Sequence, residues 1–155
     1  MMSNYSITGL EATQWVDEID RVFKSAYTIE AELLGVKSFP PLARDKSEIL
    51  SCGNSFFGAI SEVGLCGVME LETDTPAGAE TIIASLAIKP SHFRQGIGTA
   101  LVRKAIEKRS GRVQVTTAKM NHPAIHLYTT QGFEIVRKFS TSDGFEMVEL
   151  TLNLG

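Results

Sequence analysis

The sequence predicts an α/β protein in which a mixed central sheet carries helices on its faces. Three observations point there. The run TIIASLAI (Thr81–Ile88) is almost continuously apolar and rich in Ile, as in a central strand covered on both sides. Beyond Pro90, Ile97, Leu101, Val102, Ala105 and Ile106 fall on one face of a helix. Val113, Val115 and Thr117 then alternate with polar neighbours, so strand, helix and strand make a crossover. Near the C-terminus, Val148, Leu150, Leu152 and Leu154 alternate strictly with Glu149, Thr151 and Asn153, the pattern of a half-buried strand.

The remaining elements follow in order. Trp15, Val16, Ile19, Val22, Phe23 and Ala26 recur at helical spacing between about Glu11 and Tyr27. A second short helical piece, YTIEAELLGV, stops at Gly35, and the two prolines of SFPPLARD forbid further helix. The first third therefore reads as helical, in two pieces. Phe56–Ser61 and Leu65–Leu71 flank Glu-Val-Gly, a hairpin signal, and TDTPAGAE (Thr73–Glu80) reads as a loop. NHPAIHLYTTQG has an asparagine or histidine at a helix start, an early proline and a glycine stop. Two final strands surround TSDG.

Composition bounds the class. A chain of 155 residues, 43% hydrophobic and 21% charged, suits one domain spanning residues 1–155 with a real core. Fifteen basic residues against 18 acidic ones leave a net charge of -3, with no Lys/Arg run, which argues against a nucleic-acid partner. No apolar stretch is long enough to cross a bilayer, and the N-terminal MMSNYSITGL lacks the basic-then-apolar order of a signal peptide. Cys52 and Cys66 suit reduced thiols better than a disulfide framework, and neither sits in an activating motif. The expected setting is the cytoplasm.

The most informative stretch is SHFRQGIGTALVRK (Ser91–Lys104), where two glycines open a helix just after a strand. The first N–H groups of a helix lack internal partners and carry partial positive charge, so such a turn suits phosphate. A dinucleotide fingerprint requires a third small residue where Leu101 stands and an acidic residue at the end of the next strand, which VQVTTAKMN does not offer. A nucleoside triphosphate loop requires Gly-Lys-Ser/Thr, which is absent. Taken alone, the glycine pair also fits a plain tight turn.

A second motif narrows the choice. LAIKPSHFRQGIGTALV resembles the acyl-CoA-binding motif of the GNAT superfamily of N-acetyltransferases: apolar strand, proline, then Arg/Gln-x-x-Gly-x-Gly/Ala opening a helix. Further on, NHPAIHLYTTQGF (Asn121–Phe133) is similar to that family's second signature. The resemblance covers roughly Phe56 to Gly155. It implies a mostly antiparallel sheet of six or seven strands with helices on both faces, and acetyl-CoA as cosubstrate with no metal. The acceptor would be a small-molecule or peptide amine; a homodimer is common among such proteins. One position departs from the pattern, because Phe93 stands where the first Arg or Gln is usual and Arg94 follows it.

The resemblance also assigns roles. Backbone groups of Leu86, Ala87 and Ile88 would hold the pantetheine and thioester, and the turn Arg94, Gln95, Gly96, Ile97, Gly98 and Thr99 would hold the pyrophosphate. Asn121 aligns with a cofactor-contacting asparagine, although it also suits a helix cap. Tyr128 aligns with the general acid toward the CoA thiolate; a phenol near pKa ~10 and a thiol near ~8.5 make that transfer workable only with help from the site. For the base, Glu70, Glu72, Glu30 and Glu32 are candidates, with Glu70 favoured. His122 and His126 lie at metal-ligand spacing, but Pro123 adjoins the first and no third ligand is evident; His92 is expected at the surface. A module that binds acyl-CoA without catalysis is the alternative.

Overall fold

A computed structural model of the chain describes residues 4–73, 80–93, 95–109 and 111–153. Seven strands form one sheet: β1 Tyr5–Leu10, β2 Ser55–Ser61, β3 Gly64–Glu72, β4 Glu80–Ile88, β5 Arg112–Ala118, β6 Glu134–Ser140 and β7 Glu146–Leu152. Their order is β1-β2-β3-β4-β5-β7-β6. Every pairing is antiparallel except β4 with β5, as the crossover through the intervening helix requires.

Four α-helices cover the two faces: α1 Ala12–Leu34, α2 Lys46–Ser51, α3 Ile97–Lys108 and α4 His122–Thr130. On one face Ile19, Val22 and Phe23 of α1 and Ile49 of α2 pack against Phe56, Leu65, Val68 and Ala87. On the other, Ile97, Leu101, Val102 and Ala105 of α3 and Tyr128 of α4 pack against Cys66, Met69, Leu71, Ile83, Val113, Val115 and Leu150. β3 lies between both layers and is buried through all but its end residues. This mixed seven-stranded sheet with helices on both faces matches the fold class expected from the sequence.

The first third differs from expectation in two ways. α1 is one helix of 23 residues, not two pieces, because nothing between Tyr27 and Thr28 interrupts the helical spacing. It ends as expected at Gly35, whose left-handed φ of 69° lets the chain close the cap with Gly35 and Val36 donating to Glu32 and Ala31. Tyr5–Leu10, unread as a strand, pairs along the sheet edge; half-buried Tyr5 and Ile7 alternate with exposed Ser6 and Thr8, but the alternation breaks at Gly9 and leaves a short signal. The prolines of SFPPLARD end α1 as anticipated but also start a 3-10 turn, Pro40–Ala43, after which Asp45 caps α2 through the Glu48 N–H. Most of the TDTPAGAE loop and Leu154 lie outside the described residues.

Leu101 is wholly buried where α3 crosses the sheet. Leu101→Ala should cost about 3 kcal/mol of unfolding free energy, measured by urea denaturation.

Candidate active site

The site begins with a pairing that stops. β4 and β5 run parallel only from Glu80↔Arg112 to Ile83↔Val115, although both strands continue beyond that point. On its other edge β4 stays paired with β3 to Ile88, with a register shift that leaves Ala84 as the extra residue between Ile83 and Ser85. The segment Ser85–Ile88 therefore presents backbone groups into an opening between β4 and β5. That segment includes Leu86, Ala87 and Ile88, the three residues expected to hold a thioester chain.

The turn expected to hold phosphate lies beyond the end of β4. After a 3-10 turn, Pro90–His92, Gly96 caps α3 with a left-handed φ of 78°, a conformation that strains any residue with a Cβ. Ala100 is the first residue of α3 whose N–H finds a helical partner, the Gly96 carbonyl. The N–H groups of Ile97, Gly98 and Thr99 are thus the end donors of the helix. Gly98 has another reason to be glycine: a Cβ there would lie 3.1 Å from Leu127 Cδ2 of α4. Arg94 lies outside the described residues; Phe93 and Gln95 are exposed.

The second motif folds as one unit. Asn121 Oδ1 accepts from the Ala124 N–H and caps α4. Tyr128 is 3% exposed, and its ring meets Phe133 at 5.5 Å just past the glycine that ends the helix. Burial, with smaller contributions from Tyr27 and Glu30, pushes the Tyr128 phenol well above its usual range. That influence is informative about position. Tyr128 belongs to the α3/α4 layer, whereas Tyr27 and Glu30 come from α1 on the opposite face. The three side chains, from opposite layers, are near enough to influence one another electrostatically.

On the α1 side, sequence analysis missed Tyr27, whose phenol burial pushes up to about 12, with the Ser85 hydroxyl as its polar neighbour. Spacing offered one signal, since Tyr27 and Glu30 are one turn apart at the edge of the apolar stripe of α1. Burial raises the Glu30 carboxyl, and the Asn121 amide offsets part of that rise. Asn121 thereby links the start of α4 to α1. Glu32 is exposed, and Glu72 is half-buried at the end of β3.

Glu70 is a buried carboxylate on β3, 1% exposed, surrounded by donors. Arg44 Nη1 and Nη2 donate to its two oxygens at 2.6 and 2.9 Å, Ser85 Oγ donates to Oε1 at 2.9 Å, and Asn54 Nδ2 donates to Oε2 at 2.8 Å. Cys52 Sγ lies 3.4 Å from Oε2. Burial alone would raise this carboxyl, but the hydrogen bonds of Arg44 and Asn54, the Arg44 charge and Ser85 together hold it below its usual range. Arg44, Cys52 and Asn54 are far from Glu70 in sequence, so no local pattern announces the cluster.

His122 and His126 are exposed and His92 is half-buried; among the described residues no group of three His, Cys, Asp or Glu is placed to hold a metal. Both cysteines are free thiols. No helix among the described residues is long and apolar enough to cross a membrane.

The sequence matches the family model for the acetyltransferase (GNAT) family over residues 16–133. The chain belongs to the GNAT acetyltransferase family. It is 31% identical over 129 residues to the UPF0157 protein YqkA of Bacillus subtilis (strain 168), covering 82% of this chain. The aligned part spans 37% of the length of that relative. Among solved structures, the fold resembles the ribosomal-protein-S18-alanine N-acetyltransferase of Escherichia coli, with TM-score 0.74, 19% identity and coverage of 96% and 93% of the two chains. It also resembles Salmonella typhimurium yncA, assigned as an acetyltransferase and solved with its cofactor acetyl-CoA, with TM-score 0.75, 13% identity and coverage of 99% and 95%. An N-acetyltransferase of Staphylococcus aureus Mu50 aligns with TM-score 0.76 at 14% identity, over 99% of this GNAT chain and 100% of that one.

The Glu70 cluster makes a pH-dependent contribution to stability. A carboxyl held below its ordinary 4.5 in the folded chain takes its proton first when unfolded, so the stabilisation is complete above that value and is lost as pH falls below it. Glu70→Gln should destabilise the domain by about 3 kcal/mol at neutral pH. In chemical denaturation series the gap to the parent should narrow steadily as the pH is lowered beneath 4.5. A gap that is constant with pH would reject the assignment.

Proposed function

We propose that the domain transfers an acetyl group from acetyl-CoA directly to an amine, giving an amide and free CoA. The electrostatic influence of Tyr27 and Glu30 on Tyr128, from opposite layers of the sheet, is the observation that supports this reading best. Ser85, in the part of β4 that no longer pairs with β5, is the polar neighbour of the Tyr27 phenol. The Salmonella protein's bound acetyl-CoA and the Escherichia coli protein's N-acetyltransferase activity favour the same donor and acceptor classes.

In this reading the thioester chain lies along Leu86, Ala87 and Ile88. The pyrophosphate rests on the end donors of α3, in the turn Arg94, Gln95, Gly96, Ile97, Gly98 and Thr99. Those donors are backbone groups, so Phe93 in place of the family's usual Arg or Gln leaves them intact. Asn121 stands beside the opening and positions Glu30 besides capping α4.

The two carboxylates divide the work. Glu70, expected from the sequence to be the base, has its oxygens occupied by Arg44, Asn54 and Ser85 and its proton affinity lowered. We assign it the task of tying Arg44, and with it the segment between α1 and β2, to the sheet. Glu30 suits the base, because burial raises its proton affinity and it faces the reacting centre.

The arriving ammonium gives one proton to Glu30 directly or through water. The freed nitrogen lone pair attacks the thioester carbonyl carbon, and the carbon–sulfur bond breaks. The Tyr128 phenol, held in its protonated form by burial, donates to the departing thiolate, and the second nitrogen proton restores the phenol through solvent. Burial raises the thiolate's proton affinity as well as the phenol's, which keeps this transfer workable.

Release of free thiol from acetyl-CoA in the presence of mixed amines tests the reaction; donor binding without release would instead support an acyl-CoA sensor. Tyr128→Phe should lower kcat roughly 10²-fold while the acetyl-CoA Kd, by calorimetry, stays within about twofold. Glu30→Gln should lower kcat by a similar factor of roughly 10². In the parent the acid limb of kcat should lie above 4.5, the ordinary carboxyl value, and the substitution should abolish it.

A further inference from the structure

The acceptor side of the opening is built of aromatic rings. Tyr27 stacks on Phe23 at 5.6 Å, Phe39 meets Tyr27 edge-on at 6.1 Å, and Phe145 meets Phe39 edge-on at 6.2 Å. Three separate segments supply these rings: α1, the stretch after Gly35, and the turn between β6 and β7. Tyr27, Phe39 and Phe145 are each only half-buried, so the chain of rings is a wall and not sealed core. Tyr27 ties this wall to the reacting centre through its proximity to Ser85, Glu30 and Tyr128.

Three cations beside the wall are already paired. Arg44 is bound by both oxygens of Glu70. Lys119 pairs with Glu146, next to Phe145, at 3.8 Å, and Lys24 pairs with Asp20 at 3.1 Å. Glu30 has no ion-pair partner among the described residues. A ligand entering here meets aromatic faces and one available carboxylate, while each of the three cations named already holds an acidic partner.

We propose that the acceptor is a primary amine on an aromatic or other apolar body, with no carboxylate beside its amino group. The inference rests on the amine-acetylation reading and specifies the acceptor class. The ammonium end lies against Glu30 and the Tyr27 ring, where a cation is attracted both by the carboxylate and by the π face. The apolar body lies along Phe39 and Phe145. An amino acid brings its own carboxylate toward Glu30, and that repulsion selects against it.

The experiment compares matched pairs with the intact chain and acetyl-CoA: phenethylamine with phenylalanine, and tryptamine with tryptophan. Expected is a kcat/KM at least about tenfold higher for the member lacking the carboxylate. Phe39→Ala and Phe145→Ala should each raise the KM for phenethylamine about fivefold, with acetyl-CoA affinity retained as evidence of folding. Comparable acetylation of phenylalanine, or an unmoved KM in both variants, overturns the assignment while leaving amine acetylation in place. Phenethylamine binding, followed by calorimetry with CoA present, separates the other case. Phe39-dependent binding without turnover of any amine supports the assignment and overturns the catalytic reading, whereas no binding and no turnover overturn both.

Discussion

The structure depends on the place where β4 and β5 stop pairing. A parallel pair in the middle of a sheet would ordinarily extend its ladder as far as both strands allow, since each lost hydrogen bond leaves backbone groups unmatched. Here the ladder ends at Ile83↔Val115, and β4 continues with only its β3 edge satisfied. The extra residue Ala84 sits at this junction, between the last residue paired with β5 and the first beyond it. A bulge increases local twist, which carries the end of β4 away from β5. The opening is thus built from backbone geometry, and the two flanking layers, α1 with α2 and α3 with α4, keep it from collapsing.

Holding such a gap open places polar groups within the sheet, and Glu70 shows how they are accommodated. Its position on β3 faces the α1 layer, where its neighbours Leu65 and Val68 are apolar. A lone carboxylate there would be costly, yet a bidentate arginine, an amide and a hydroxyl satisfy it. Because Arg44 comes from the segment between α1 and β2 and Ser85 from the open part of β4, one buried charge joins the acceptor side to the donor side. Arg44 also lies 5.8 Å from the centre of the Phe23 ring, so its guanidinium is held from both directions.

Legibility in the sequence follows from this division. The crossover, the hairpins and the two motifs are local, and each appears in spacing alone: Gly35 stops α1, Asn121 caps α4, and Gly132 precedes the Phe133 that packs on Tyr128. The edge strand Tyr5–Leu10 leaves only a short signal, because its alternation of half-buried and exposed residues breaks at Gly9. The Glu70 cluster was hidden because its other members lie 15 to 26 residues from Glu70 in sequence and converge only after β2, β3 and β4 have paired. Tyr27 read as an ordinary residue at the end of an apolar stripe; only the sheet opening beneath α1 gives it a role.

In the proposed reading, donor and acceptor recognition rest on different physical means. The donor end uses N–H groups of α3 and β4, which any side chains can surround provided the turn can form. Even there the two glycines differ, Gly96 supplying a left-handed cap and Gly98 making room for Leu127. Backbone recognition leaves a compact trace in sequence because it constrains conformation at consecutive positions. The acceptor end uses side chains, rings from three segments and a carboxylate from α1, which have no common spacing. Side-chain recognition can change with single substitutions while the frame stays intact. Solved structures with TM-scores of 0.74 to 0.76 share the frame at only 13% to 19% identity. On the proposed reading, acceptor selectivity rests on Tyr27, Glu30, Phe39 and Phe145, residues that the frame brings together without specifying them.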